Sequence, residues 1–323
     1  MKILVAIPAY NEEMKIHETL CSILLNTNES HDFSVLVVDD GSSDKTFEIA
    51  SSVNDPRVRV IRHPRNLGLG AAFKSAVKSA LSTGADIMIT IDADGQFDSS
   101  QLNQFISSIE NSSSDLVTGS RFLAQSEVIG MPTMRNIGNR GYVKVINKIG
   151  GINITDASCG FRCYSRKALF HLHLTGKFTY THETIISLAQ QGLEISEIPV
   201  RVRYFEERKS SISGSLIRYA YRTVKIIMRT YFLYAPTKVF LTIGSVFFTI
   251  SIPFAVMFIL NKITTGTFSG YYFAVGIASL FFMVALICFT AAANSLVSNN
   301  VLKRQNLILS LIAESSYSFK NQV

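Results

Sequence analysis

The chain has 323 residues, of which 47% are hydrophobic and 17% charged, with a formal net charge of +7. That balance is too apolar for an ordinary soluble enzyme and too polar for a polytopic transporter. It points to a mosaic, soluble α/β protein up to about Arg208 and an apolar excess after Tyr231.

Met1-Lys2-Ile3-Leu4-Val5 starts directly as a strand, without a long apolar run or a cleavage site, so the N-terminal part is expected not to be exported. The apolar run Ile3–Ile7 ends at Pro8, as a buried parallel strand would. Ile16, Leu20, Ile23 and Leu24 then recur at helical spacing, with Asn11-Glu12-Glu13 placing acids near the helix start. Val35–Val38 reads as a second strand, followed by Asp39-Asp40-Gly41-Ser42-Ser43-Asp44, where Ser43 or Asp44 can cap a helix over Lys45–Ser52. A third strand is predicted at Val58–Ile61, a small-residue helix at Gly68–Leu81, and a fourth strand at Ile87–Ile91. Leu102–Ile109 reads as helix and Asp115–Thr118 as strand. This alternation predicts a doubly wound, mostly parallel sheet whose ligands bind at the carboxyl ends of the strands.

The C-terminal part differs. Val239–Leu260 is an uncharged apolar stretch of roughly 22 residues, about 33 Å as a helix, which matches a bilayer core. Tyr271–Val297 is a second uncharged stretch, and Pro253 inside the first predicts a kink. The intervening Asn261–Gly270 carries one Lys, whereas Lys238 flanks one side and Lys303 and Arg304 the other. The positive-inside bias therefore places both termini in the cytoplasm. Ser215–Tyr234 spaces Arg218, Arg222, Lys225 and Arg229 three to four residues apart, opposite Leu216, Val224, Ile227 and Met228, and predicts a basic amphipathic helix in the membrane interface. With Arg201, Arg203, Arg208 and Lys209, these cations read as a surface facing anionic phospholipid. No nucleic-acid-binding motif is present. Cys21, Cys159, Cys163 and Cys288 lack the spacing of a zinc site or a disulfide framework and read as reduced thiols.

The chemistry-bearing motifs fall at strand ends. Asp92-Ala93-Asp94, after the fourth strand, places two carboxylates one residue apart, where both can reach a hard cation such as Mg2+ or Mn2+. Gln96 is positioned to add a carbonyl ligand or hold a water. An Asp-x-Asp alone is often a polar turn; its place at a strand end distinguishes this one. A cation bridging two phosphates would stabilise a departing nucleoside diphosphate. Tyr10 and Glu12 supply an aromatic ring and a carboxylate suited to a base and ribose, and Asp39 and Asp40 supply acceptors for base N–H groups. Arg65-Asn66-Leu67-Gly68-Leu69-Gly70 follows the wrong strand for a dinucleotide fingerprint, and neither a Walker lysine motif nor a Gly-x-Ser-x-Gly element occurs.

IPAYNEE (Ile7–Glu13), VVDDGSSDKT (Val37–Thr46), NLGLGAA (Asn66–Ala72), DADGQ (Asp92–Gln96), GSR (Gly119–Arg121) and CGFRCYSR (Cys159–Arg166) occur in that order. Over about its first 210 residues the chain resembles the glycosyltransferase family two enzymes of the dolichol-phosphate mannosyltransferase and bacterial polyprenyl-phosphate glycosyltransferase type. The resemblance implies a GT-A fold and an inverting transfer of a hexose from a nucleotide sugar, UDP-linked in preference to GDP-mannose, to a polyprenyl phosphate. It assigns Pro8, Tyr10, Glu12, Asp39, Asp40 and Ala93 to the nucleotide, and Asp92, Asp94 and Gln96 to Mg2+ or Mn2+. Arg121 and Arg135 resemble residues that meet phosphates, and Arg203, Arg208 and Lys209 resemble a basic segment closing over the diphosphate. There the chain departs from the family's Arg-x-x-Gly-x-Ser pattern, because Arg208-Lys209-Ser210-Ser211 has no glycine. Asp156 and Glu183 are the acids placed to orient acceptor or sugar, and His182 is an unusual neighbour for Glu183.

The expected organisation is a catalytic domain (residues 1–210), a basic interface region (211–236), two transmembrane helices (237–300) and a cytoplasmic tail (301–323), with paired spans compatible with a homo-oligomer. Two alternatives are disfavoured. A processive polysaccharide synthase would need more spans and a Gln-x-x-Arg-Trp motif, and the chain has no Trp. A non-catalytic membrane scaffold would not need intact motif carboxylates.

Overall fold

A computed structural model describes residues 1–27, 30–131, 133–172 and 180–204, then 228, 230–232, 234–266 and 271–320. The stretch 205–227, which holds Arg208, Lys209, Arg218, Arg222 and Lys225, lies outside the described residues, as does Arg229. The chain divides into an N-terminal unit, made of Met1–Tyr219 with Leu309–Val323, and a second unit spanning Ala220–Ile308, to which the helix from Tyr272 contributes as far as Ile308.

In the N-terminal unit the strands are β1 (Lys2–Ala9), β2 (Asp32–Asp39), β3 (Val58–Arg62), β4 (Ile87–Thr90), β5 (Leu116–Ser120), β6 (Glu127–Ile129), β7 (Arg162–Ser165), β8 (Ile195–Pro199) and β9 (Arg201–Arg203). Seven form one sheet in the order β3-β2-β1-β4-β7-β5-β8. Every pairing in it is parallel except those of β7, which runs antiparallel between β4 and β5. The predicted parallel sheet thus contains one reversed strand, absent from the sequence reading because it is only four residues long and begins with an arginine. β6 and β9 form a separate two-stranded parallel sheet, joined by a bridge from Phe97 to Val202.

Apolar strands cause this arrangement. Ile3, Val5 and Ile7 on β1, Val35 and Val37 on β2, and Ile87 and Ile89 on β4 are all buried in one core with Leu20, Ile23, Phe105 and Phe161. Burial of each such side chain stabilises the fold by about 1.5–3 kcal/mol. Helix α1 (Ile16–Asn26) turns Ile16, Leu20 and Ile23 inward, at the spacing predicted. Helix α2 (Thr46–Ser51) starts without a side-chain cap, but Asp44 accepts from the Thr46 amide at 3.0 Å and from the Glu13 amide at 3.2 Å, tying the helix to the loop after β1. Helix α3 (Leu69–Thr83) buries Gly70, Ala72, Ala76 and Ala80, small residues that let it approach the sheet closely. Helices α4 (Leu102–Asn111), α5 (Thr133–Gly150), α6 (Arg166–Phe170) and α7 (Tyr180–Gln190) complete the layers.

In the second unit, helix Pro236–Thr265 begins with a proline in its first turn and carries Pro253 inside, and helix Tyr272–Lys320 continues well past Val297. Both are long and apolar enough to cross a membrane. They pack through small and aromatic residues: Phe281 lies against Phe247 and Phe254, with centroids 5.7 and 6.3 Å away, and Thr237 Oγ1 donates to Ser295 Oγ at 3.3 Å. A Cβ at Gly244 would sit 2.8 Å from the Phe289 ring, whereas one at Gly276 would meet nothing within 4 Å. Close approach of this kind carries helix association in lipid. Gly244→Leu is therefore expected to lower stability by about 1–3 kcal/mol, measured by unfolding of the full chain in detergent, and Gly276→Leu to leave it unchanged.

Candidate active site

The loops after β1 and β2 are locked together. The Asn11 amide donates to Ser42 Oγ at 3.0 Å, the Glu12 amide to Thr46 Oγ1 at 2.7 Å, and the Ser43 amide to Asn11 Oδ1 at 2.9 Å. Asn11 has φ 55°, a left-handed conformation that asparagine tolerates better than most residues. Gly41 has φ +70°, and a Cβ there would fall 2.4 Å from the Arg65 carbonyl carbon, so no other residue fits that turn.

The two aspartates at the carboxyl end of β2, Asp39 within it and Asp40 just beyond, are not equivalent. Asp39 is fully buried; its Oδ1 accepts from the Ser42 amide at 3.1 Å and from the Ser42 hydroxyl. Its Oδ2 faces Arg62 Nε at 3.1 Å as an ion pair, without hydrogen-bond alignment. Asp40 clamps the following loop: it accepts from His63 Nδ1 at 2.7 Å, the Leu67 amide at 3.0 Å and the Gly68 amide at 2.7 Å. The glycine-rich run after Arg65 is thus held by a carboxylate of this domain.

At the end of β4, Asp92 and Asp94 are partly exposed while Ala93 between them is buried, its carbonyl accepting from Thr19 Oγ1 at 3.1 Å. Gly95, at φ +68°, turns the chain, and the Gln96 amide donates to Asp94 Oδ1 at 3.1 Å. A cleft of about 330 Å3 brings Pro8, Tyr10, Glu12 and Asp40 together with Asp92, Ala93 and Asp94. Gln96 lies outside it, along a neighbouring groove that also holds Arg203, whose amide donates to the Gln96 carbonyl at 2.9 Å. A shallow depression along α4 is larger, about 620 Å3, but its lining from Asn103 to Ser196 includes no ionisable group.

Among the described residues no three His, Cys, Asp or Glu side chains converge as a metal site would require. Of the four carboxylates in the cleft, Asp92 and Asp94 follow β4 one residue apart, hard oxygen donors that suit Mg2+ or Mn2+ when a ligand's phosphate oxygens and water complete the shell. The donor set therefore fits such a cation.

Arg121 and Asp156 form a buried pair. Arg121 Nε donates to Asp156 Oδ2 at 2.6 Å and Nη2 to Oδ1 at 2.8 Å, while Nη2 also reaches Ser158 Oγ at 2.6 Å and Nη1 the Tyr204 hydroxyl at 2.9 Å. Burial alone would raise the Asp156 carboxyl, but the Arg121 guanidinium outweighs it and holds that carboxyl below its ordinary 3.8. Burial likewise opposes the charge of Arg121, and Asp156 reverses the outcome, raising the guanidinium above its ordinary value. Both groups stay charged, and both are fully engaged with each other.

Glu197, absent from the sequence reading, accepts from the Asp156 amide at 2.9 Å and from the Thr155 amide at 2.7 Å. Burial raises its carboxyl against the pull of those amides. Its signal was an acid between Ile195 and Ile198 in a short strand; Tyr204 offered none. Glu183 is buried in the first turn of α7, and Arg135 lies on α5, its side chain outside the described residues. Burial pushes the Cys159 thiol up to about 12 and the Cys163 thiol well above its usual range, so neither ionises near neutral pH.

Residues 4–172 match the family described as Glycosyl transferase family 2. A UDP-N-acetylglucosamine–dolichyl-phosphate N-acetylglucosaminyltransferase of Methanococcus voltae is 33% identical, over 62% of this chain and 85% of that protein. An undecaprenyl-phosphate mannosyltransferase of Micrococcus luteus is 29% identical, over 67% and 90%. Among solved structures, glucosyl-3-phosphoglycerate synthase from Mycobacterium tuberculosis, in complex with Mn2+, UDP and glucosyl-3-phosphoglycerate, superposes with a TM-score of 0.53 at 20% identity. That match covers 70% of this chain and 79% of the other, and establishes a GT-A-like fold.

Two outcomes follow from these charges. Asp156→Asn leaves the buried guanidinium without a counter-charge and is expected to cost about 3–5 kcal/mol in denaturant unfolding. His182 lies against Tyr142 with ring centroids 4.8 Å apart and planes tilted by 33°, and has a buried Nε2 without a hydrogen-bond partner among the described residues. Burial first, then Arg162, lowers its pKa from 6.5 to about 4, against a smaller raising effect of Asp156. Between those values the unfolded chain binds the proton and the folded chain does not, so stability falls as pH drops through that window, by about 3 kcal/mol. Unfolding midpoints from pH 7 to 4 should show this loss, and His182→Gln should remove most of it; the lowered Asp156 carboxyl costs stability chiefly at more acid pH.

Proposed function

Because the chain belongs to glycosyl transferase family 2, we propose that it transfers a hexose from a nucleotide sugar to a polyprenyl phosphate at the cytoplasmic face of a membrane. The observation that carries this reading is the shared cleft, in which Tyr10 and Glu12 face Asp92 and Asp94 at the carboxyl ends of β1 and β4. The names of the Methanococcus and Micrococcus relatives supply the acceptor class, and the former a UDP-linked donor. The two apolar helices support a membrane anchor, and the flanking Lys238, Lys303 and Arg304 favour both termini and the catalytic domain in the cytoplasm.

In this reading Tyr10 stacks on the base, Glu12 and Asp40 orient base and ribose, the buried Asp39 holds the loop behind them through Ser42, and Asp92 and Asp94 hold Mg2+ or Mn2+. That cation supplies neutralising charge for the departing diphosphate. An acceptor phosphate oxygen attacks the anomeric carbon from the side opposite the diphosphate. One C–O bond forms as the other breaks, and configuration inverts. A phosphate monoester has a second pKa of about 6, so its oxygen is already anionic near neutral pH and needs no strong base. Positioning and electrostatics dominate. Arg135, Arg203, Arg208 and Lys209 neutralise the two polyanions. Arg121, occupied by Asp156, holds the rear wall, and Glu183 orients sugar or acceptor.

The test is a donor screen on the purified full chain with undecaprenyl phosphate and Mn2+ or Mg2+, reading the glycolipid product. A UDP-hexose should be consumed, and Asp94→Asn should lower transfer at least about 100-fold with folding retained, since several kcal/mol of charge stabilisation are at stake. Undiminished transfer in excess chelator would contradict the metal role, and transfer only to water-soluble acceptors would contradict the acceptor.

A further inference from the structure

Arg162 is fully buried, and its guanidinium forms no ion pair among the described residues. It donates instead to four neutral oxygens: Nε to the Cys159 carbonyl at 2.8 Å, Nη2 to the Ala157 carbonyl at 3.1 Å, Nη1 to the Thr181 carbonyl at 2.5 Å and to Thr184 Oγ1 at 2.8 Å. A buried cation without a counter-ion is costly, and an apolar side chain would satisfy packing alone more cheaply. What Arg162 gains is a brace. Two of its acceptors belong to the turn between Asp156 and Phe161, and two to the first turn of α7.

That turn touches both halves of the site. At one end Asp156 grips Arg121. At the other, the Gly160 backbone lies flush against Asp92, so closely that a Cβ would come within 2.6 and 2.7 Å of its two carboxylate oxygens. Thr90, paired with Arg162 in the β4–β7 register, secures the same point by donating Oγ1 to the Gly160 carbonyl at 2.8 Å.

We propose that Arg162 is a positioning residue for the transfer, holding one turn of backbone so that it backs Asp92 and carries the Arg121–Asp156 pair in fixed relation to it. This rests on the reading of the cleft as a sugar-transfer site. Supporting groups behind a metal ligand commonly alter affinity or activity by about 10–100-fold.

The test uses the full chain in detergent, with Mn2+ alone titrated and free ion read by electron paramagnetic resonance, followed by transfer kinetics. Arg162→Met, folded by circular dichroism, should bind Mn2+ about tenfold more weakly and lose about 10–100-fold in kcat, with donor KM within about twofold. Arg162→Lys should recover part of both losses. Gly160→Ala, which leaves the arginine's hydrogen bonds in place, should reproduce the Mn2+ loss. Wild-type Mn2+ affinity and kcat in folded Arg162→Met would overturn the proposal. Should that variant not fold, wild-type Mn2+ binding by Gly160→Ala would overturn it equally. Wild-type protein that binds Mn2+ yet glycosylates no polyprenyl phosphate would overturn the functional reading instead, with the Mn2+ series still deciding the role of Arg162.

Discussion

Parallel strands deliver their carboxyl ends to one edge of a sheet, and here that edge gathers Asp39, Asp40, Asp92 and Asp94 within a few residues of the apolar core. Like charges so placed repel, and in a partly enclosed cleft water screens them less than on an open surface. The local structure answers with fixed donors. Ser42 and Arg62 hold Asp39, three N–H groups hold Asp40, and the Gln96 amide meets Asp94. The loops are tied down because Asp39, Asp40 and Asp94 each accept backbone amides from neighbouring residues.

The same economy explains the rear of the site. Arg121 and Asp156 are paired in a bidentate geometry that is strong in a low dielectric, while Glu197 accepts the Thr155 and Asp156 amides and the Ser158 amide donates to Asp156 Oδ1. Such a pair stabilises less than its Coulomb attraction suggests, because both charges lose hydration. Its value lies in a defined geometry, at one end of a turn whose Gly160 backbone lies against Asp92. The mobile part of the chemistry belongs to substrates, and the protein's share is a rigid frame of charge.

Strand and helix positions for the first half of the chain were legible from periodicity, because β1, β2 and β4 are continuous apolar runs and α1 repeats its apolar residues every three to four positions. The cleft residues were legible too, since polar motifs at the ends of such runs have one edge to share. The reversed strand β7, with Arg162 and Tyr164 facing inward, could not be read from patterning, because an arginine in a four-residue segment looks like a loop. Arg121 resembles a residue that meets phosphates, and only three-dimensional contacts reveal its pairing with Asp156, Ser158 and Tyr204. Glu197 and Gly160 act through backbone contacts that leave almost no trace in composition.

The central claim is that Asp92 and Asp94 hold a divalent cation against a nucleotide-sugar diphosphate in the cleft beside Tyr10. The most direct measurement is anomalous diffraction from crystals of the full chain grown with Mn2+ and a non-hydrolysable UDP-hexose. The account predicts a manganese peak within coordination distance of both carboxylates and of the diphosphate, with the base against Tyr10. A diphosphate seated elsewhere, or seated in the cleft with no manganese at those two carboxylates while the same preparation turns over, would contradict it.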